Sequence, residues 1–215
     1  MDKTRPIRIF WQDGVTKRQI IFVLRTIKRV LKLAGMEEKI VVQIGGFFDT
    51  LIYRDEDTKS KFFWQYDGQQ ILNYFSAIHQ ASSHNEYYAV LLMKDEFFLD
   101  TLEGKKIVLG LAQREESAII YVDYDSFFEH DSVIKCRTLS TTIHELGHIF
   151  NLPDPERKEE IVLSSVSKTN HCANDCVMYP CQKGFKSDYK FCPTCLRELR
   201  DYFKIILTNF GTISP

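Results

Sequence analysis

The stretch His144-Glu145-Leu146-Gly147-His148 constrains this chain more than any other. Two imidazoles at positions i and i+4 lie on one face of a helix, one above the other, and can share a metal ion. Glu145 sits beside them, where a carboxylate can polarise a metal-bound water and carry its proton to a leaving amine. This spacing is the zinc-peptidase signature, and zinc suits it, because neutral imidazole is a good ligand and an open fourth position admits water. The surroundings argue against a chance match on a solvated helix. Ile143, Leu146, Ile149 and Phe150 make the segment largely apolar. Polar groups on a semi-buried helix need partners. The expected helix runs from about Ser132 to Phe150.

A second cluster follows in HCANDCVMYPCQKGFKSDYKFCPTC (171–195). Cys172 and Cys176 form one close pair, Cys192 and Cys195 another. Two such pairs across a short loop match a closed structural zinc site with four cysteine ligands. Thiolates around zinc would staple a C-terminal part that has little core of its own. Cys181 lies between the pairs as a substitute for Cys176, and Cys136 reads as a small buried residue. The intervening PDPERKEEIVLSSVSKTN (153–170) begins with prolines and is rich in charge. It predicts a loop with one helical turn.

Upstream, IRIFW (7–11) predicts a strand. A helix follows over Thr16–Ala34, with Ile20, Val23, Leu24, Ile27, Val30 and Leu31 at helical spacing and Gly35 as its stop. Its other face, with Lys17, Arg18, Arg25, Lys28 and Lys32, reads as solvated. KIVVQIGGFF (39–48) predicts a strand, RDEDTKSK (54–61) an exposed connection, and 67–80 a helix with Ile71, Leu72, Phe75 and Ile78 inward. Segments 87–98 and 106–124 predict two or three more strands, with a turn near Arg114–Ser117. A closing helix over 195–211 has Leu196, Leu199, Phe203 and Ile206 on its apolar side. This order indicates an α/β (α+β) chain with a mixed sheet. The formal net charge of -1 gives no reason to expect nucleic-acid or membrane binding. With no apolar membrane span and no signal-peptide core, the expected location is cytoplasmic, where cysteines favour thiols or metal ligands over disulfides.

The C-terminal motifs resemble the archaemetzincins, of the metzincin clan of zinc peptidases. In that family the HExxH helix continues as xxGxxHC, then CxM, then CxxC. Here the corresponding residues are His144, Glu145 and His148, then His171-Cys172, Cys176-Val177-Met178, and Cys192-Pro193-Thr194-Cys195. The segment 108–122 is similar to the family's strand before the active-site helix. The resemblance implies a metzincin-like zincin fold, a twisted mixed sheet with an active-site helix and a small zinc-stapled C-terminal subdomain. It implies one metallopeptidase domain over 1–215, with an N-terminal subdomain to 151 and a C-terminal subdomain from 152. It also implies two zinc ions, one catalytic and one structural, and Met178 as the Met-turn beneath the catalytic one.

The sequence departs from the pattern in three places. Asn151 replaces the family's glycine, and Asn is the next-best residue for a left-handed conformation. The first cysteine pair encloses three residues, where the family usually has four. The third ligand is displaced. Asp154 occupies the family's third-histidine position, whereas His171 directly precedes Cys172, as that histidine does. The HC pair favours His171, with 153–170 as an inserted loop and Asp154 as a turn residue of LPDP. Asp154 is the alternative ligand, and Glu159 or Glu160 a poorer one.

The function expected is zinc-dependent peptide hydrolysis through a zinc-bound water, with Glu145 as general base and a peptide or protein as substrate. Tyr179 either assists or simply packs. The alternative is a catalytically silent, zinc-stabilised interaction protein that keeps the fold. The departures at Asn151 and Asp154 motivate it, and Glu145 argues against it.

Overall fold

The computed structural model describes residues 4–50, 66–83, 86–122, 132–164, 166, 169–180 and 189–211. The expected connection at 54–61 and Cys181 lie outside them. Strand β1 (Ile7–Trp11) leads into helix α1 (Lys17–Ala34). Thr16 caps α1 through a capping box with Gln19, and Gly35 ends it in a left-handed conformation at φ 74°. Val23, Ile27, Val30 and Leu31 are buried, while Lys17, Arg18, Arg25, Lys28 and Lys32 are exposed, as the helical pattern requires.

The chain continues through β2 (Val42–Phe47), β3 (Tyr66–Asp67), α2 (Gly68–Ser83), β4 (Tyr88–Met93), β5 (Phe97–Thr101), β6 (Gly104–Val108), β7 (Gly110–Gln113) and β8 (Ser117–Tyr121). The stretches 87–98 and 106–124 thus carry parts of five strands, not two or three. A lone residue, Leu109, separates β6 from β7, so the apolar run 107–112 reads as one strand although it changes sheets. The rest is α3 (Ser132–Ile149), β9 (Ile161–Leu163), β10 (Asn170–Cys172) and α4 (Pro193–Gly211). The described residues of segment 153–170 include β9, paired antiparallel with β10, and no helical turn. Each of these strands is three residues long, too short to carry a hydrophobic period.

The main sheet has the order β2-β1-β4-β8-β7. All its pairs are parallel except β7 with β8. β4 is buried on both faces, which explains its unbroken apolar sequence. Tyr88, Val90 and Leu92 join Ile7 and Ile9 in a core shared with α1, α3 and α4. Ala89, Leu91 and Met93 point the other way, into a core with Ile71, Leu72 and Phe75 of α2. The second face is completed by a small sheet of order β3-β5-β6. The first core draws on both sides of residue 151, from Ile149 and Phe150 to Cys172, Met178 and Phe203. Among the described residues, no helix is long and apolar enough to cross a membrane.

His79 of α2 is half-buried against Phe10 and Phe75, with ring centroids at 4.3 and 4.5 Å, and bonds Tyr87 through Nδ1. Burial first, and then Arg8, lower its pKa to about 4. An unfolded chain therefore binds more protons here than the folded one between about pH 6.5 and 4, so stability falls as pH falls through that window. In urea titrations, His79→Phe should lose less stability between pH 7 and pH 4.5 than the parent chain. Equal losses would show that His79 does not contribute to acid sensitivity.

Candidate metal centre

The C-terminal half of α3 is packed into the core on its apolar side and borders a cleft on the other. Ile143, Leu146, Ile149 and Phe150 are at most 1% exposed, so the helix carrying the histidines is held by the core. The structure brings His144, His148 and His171 together. Their Nε2 atoms form a near-equilateral triangle: 3.1 Å from His144 to His148, 3.3 Å from His148 to His171 and 3.2 Å from His171 to His144.

The opposite nitrogen of each ring explains the triangle. Nδ1 of His144 faces the Val177 carbonyl at 2.8 Å, Nδ1 of His148 faces that of Leu152 at 2.8 Å, and Nδ1 of His171 faces that of Thr169 at 3.0 Å. A carbonyl only accepts, so each Nδ1 carries the proton and donates it. In a neutral ring Nε2 is then a bare lone pair. Burial lowers the pKa of all three rings, that of His144 to about 4, and their mutual repulsion lowers those of His144 and His148 further. Three lone pairs thus face one another with no proton between them, an arrangement that a cation relieves. Ligand bonds of 2.0–2.1 Å in a tetrahedral zinc site place two nitrogens about 3.3 Å apart, close to the spacing found.

Glu145 is 6% exposed and lies over strand β7, where a Cβ on Gly110 would sit 2.5 Å from its Cγ and Oε1. Burial pushes its carboxyl up to about 8. A cleft of about 690 Å³ runs along β7 and over the triangle, lined by Gly110 to Arg114, the histidines, Glu145, Val166 and Thr169.

Asp154 stands outside this group. Its carboxylate accepts from the Glu156 backbone at 2.8 Å, and its own N–H donates to Glu198. It is a turn residue. Glu160 accepts from Asn174 and Thr194, and Glu159 is exposed. Tyr179 is 38% exposed and does not line the cleft. Asn151 takes the left-handed conformation at φ 65°, filling the expected glycine role. Arg114 holds the turn there. Its Nη1 donates to Asn151 O and Oδ1 and to Pro153 O, which fixes the segment that offers Leu152 O to His148.

Cys172, Cys176, Cys192 and Cys195 are all buried and gather into a second group. Sγ of Cys172 and of Cys192 are 3.7 Å apart, far beyond the roughly 2.05 Å of a disulfide. Two thiolates of a tetrahedral zinc site are about 3.8 Å apart. Backbone N–H groups of Met178 and Cys192 reach Cys176 Sγ at 3.5 and 3.2 Å, and that of Cys195 reaches Cys192 Sγ at 3.5 Å. Hydrogen bonds from Cys176 and Cys195 bring the Cys172 thiol well below the ordinary range, while the same sharing pushes Cys176 up to about 12 and Cys195 up as well. Cys172, Cys176 and Cys195 thus accommodate one negative charge among them, and a dication would favour the ionised form of the others. Cys136 differs from the expected small buried residue. It is half-buried and bonds Tyr189, which is raised to about 12.

No protein-family model matches the chain, and no curated protein matches it by sequence. Solved structures do match. A zinc-dependent peptidase from Methanocorpusculum labreanum aligns with a TM-score of 0.58 at 17% identity, over 90% of this chain and 99% of its own. An archaemetzincin from Methanopyrus kandleri gives 0.56 at 20% identity, over 93% and 96%. One from Archaeoglobus fulgidus, complexed with malonate, gives 0.55 at 16% identity, over 89% and 99%. The chain has the archaemetzincin fold.

Gly147 is a packing position that the histidine spacing gives no sign of. Met178 is fully buried against it, and a Cβ there would lie 2.3 Å from Met178 Sδ. Gly147→Ala gains about 1 kcal/mol of helix propensity, but overpacking costs about 1–3 kcal/mol. Denaturant titrations should show Gly147→Ala destabilising the parent chain yet stabilising a Met178→Ala background. The same sign in both backgrounds would refute the contact.

Proposed function

We propose that the chain is a zinc-dependent metallopeptidase that hydrolyses peptide bonds. The carrying observation is the convergence of three unprotonated Nε2 atoms beside a buried carboxylate in an open cleft. His144, His148 and His171 would hold the catalytic zinc, and Cys172, Cys176, Cys192 and Cys195 a structural one. When bound, zinc supplies the Lewis acidity that makes water a nucleophile near neutral pH and polarises a carbonyl.

The chain's own groups do the rest. Glu145, whose carboxyl lies buried over β7 at the edge of the cleft, takes a proton from the attacking water. It then delivers that proton to the departing amine. The three carbonyls of Val177, Leu152 and Thr169 keep the imidazoles in one tautomer and one orientation. β7 lies at the edge of its sheet beside Glu145, so an extended peptide can add to it as a further strand and bring a peptide bond to the centre. Residues 1–151 provide the sheet and active-site helix, and 152–215 the third histidine, Met178 and the cysteine site. The substrates are peptides or proteins in the cytoplasm, with no nucleic-acid or membrane partner. A catalytically silent role leaves the buried Glu145 without a purpose, because a structural site needs no base beside it.

Glu145→Gln should lower hydrolysis of a fluorogenic peptide library by about 100- to 10,000-fold with zinc content unchanged. An intact rate would remove Glu145 from the chemistry. By elemental analysis, His171→Ala should lose the histidine-bound zinc and keep the other, while Asp154→Ala keeps both. Loss of that zinc in Asp154→Ala, with His171→Ala fully loaded, would reverse the ligand assignment.

A further inference from the structure

The cysteine site has a neighbour that the four-ligand reading leaves out. Arg157, in the segment between α3 and β9, points both ends of its guanidinium at sulfur. Nη1 donates to Cys172 Sγ at 3.4 Å and Nη2 to Cys195 Sγ at 3.1 Å. Its remaining edge is held by Glu198 of α4, with Nε donating to Oε1 at 2.7 Å and Nη2 paired with Oε2 at 2.5 Å. Both side chains are largely enclosed, at 8% and 16% exposure.

Charge explains the arrangement. Four thiolates around a divalent cation leave a net charge of about −2, here on cysteines that are 0 to 7% exposed. Buried charge is costly unless it is offset and hydrogen-bonded. A guanidinium supplies a fixed positive charge and several donors in a rigid plane, which an ammonium does not. Glu198 takes one edge of that plane and so aims the other at the sulfurs. A plain ion pair between the inserted segment and α4 would use Glu198 alone and would not need sulfur contacts from both Nη atoms.

We propose that Arg157 is a positioning residue of the cysteine site, the counter-charge and hydrogen-bond donor that governs how firmly its metal is retained. This rests on the reading of the four cysteines as zinc ligands. Donation to Cys172 and Cys195 offsets the negative charge of the site and holds both sulfurs in place, so competing chelators displace the metal more slowly. Glu198 acts through Arg157 and holds its orientation.

The test uses the zinc-loaded full chain and a chromogenic chelator. Arg157→Leu should release one of its two zinc ions about 10- to 100-fold faster than the parent, with the other unaffected. Arg157→Lys keeps the charge but cannot span both sulfurs, and should release at an intermediate rate. In cobalt-substituted protein the sulfur-to-cobalt charge-transfer band should move to longer wavelength in Arg157→Leu, and less in Arg157→Lys, because sulfur without these donors is easier to oxidise. If the leucine variant does not fold, the lysine variant decides by the same two readouts. Parental release rates and an unshifted band would overturn the proposal and leave Arg157 as a tie between the insertion and α4. A parent chain whose zinc content is the same after Cys172→Ser and Cys195→Ser would instead overturn the cysteine-site reading itself.

Discussion

Three imidazoles that each give their Nδ1 proton to a main-chain carbonyl set the terms for the rest of this structure. Each carbonyl comes from a different segment: Leu152 from the turn after α3, Thr169 from the hairpin, Val177 from the chain after Cys176. The fold must therefore fix three backbone segments to keep three lone pairs aimed at one point. Arg114 and the left-handed Asn151 fix the first. The second is fixed within the hairpin, where Thr169 O also accepts from Ser164 N at 3.0 Å. The third is fixed by the cysteine group on one side and by Met178 under Gly147 on the other.

His171 and Cys172 are consecutive, so the two candidate metal groups are joined by one peptide unit on a buried strand. A shift at the sulfurs would reach the histidine with little slack. This gives the cysteine group a role beyond closing the C-terminal part. The inserted segment is secured in turn by Arg157, which meets Cys172, Cys195 and Glu198 together. The hairpin that returns His171 is thus tied to α4 through the same sulfurs.

Much of this was legible in order. Thr16 and Gly35 mark the limits of α1, and the apolar spacing between them gives its buried face. β4 was visible as an unbroken apolar run because both of its faces are covered. The strands between Phe97 and Tyr121 were harder to divide, since β6 and β7 adjoin across Leu109 while belonging to different sheets. The hairpin of β9 and β10 left no periodic trace. Its strands are short, and its stability comes from neighbours distant in sequence. Arg114 and Arg157 were invisible as well, because an arginine in a charged or turn-like stretch reads as a solvated one.

The sequence by itself determined that His144 and His148 share one helix face with Glu145 beside them, because helical geometry relates positions i and i+4 without help from the rest of the chain. Cysteine spacing likewise marked Cys172, Cys176, Cys192 and Cys195 as one group. Only the tertiary structure decided which residue joins the histidine pair. Asp154 is the nearer candidate in sequence, but it follows a helix end whose left-handed turn carries it away. His171 lies 23 residues beyond His148, and what returns it is strand pairing and buried sulfur packing, neither of which leaves a local mark in the sequence.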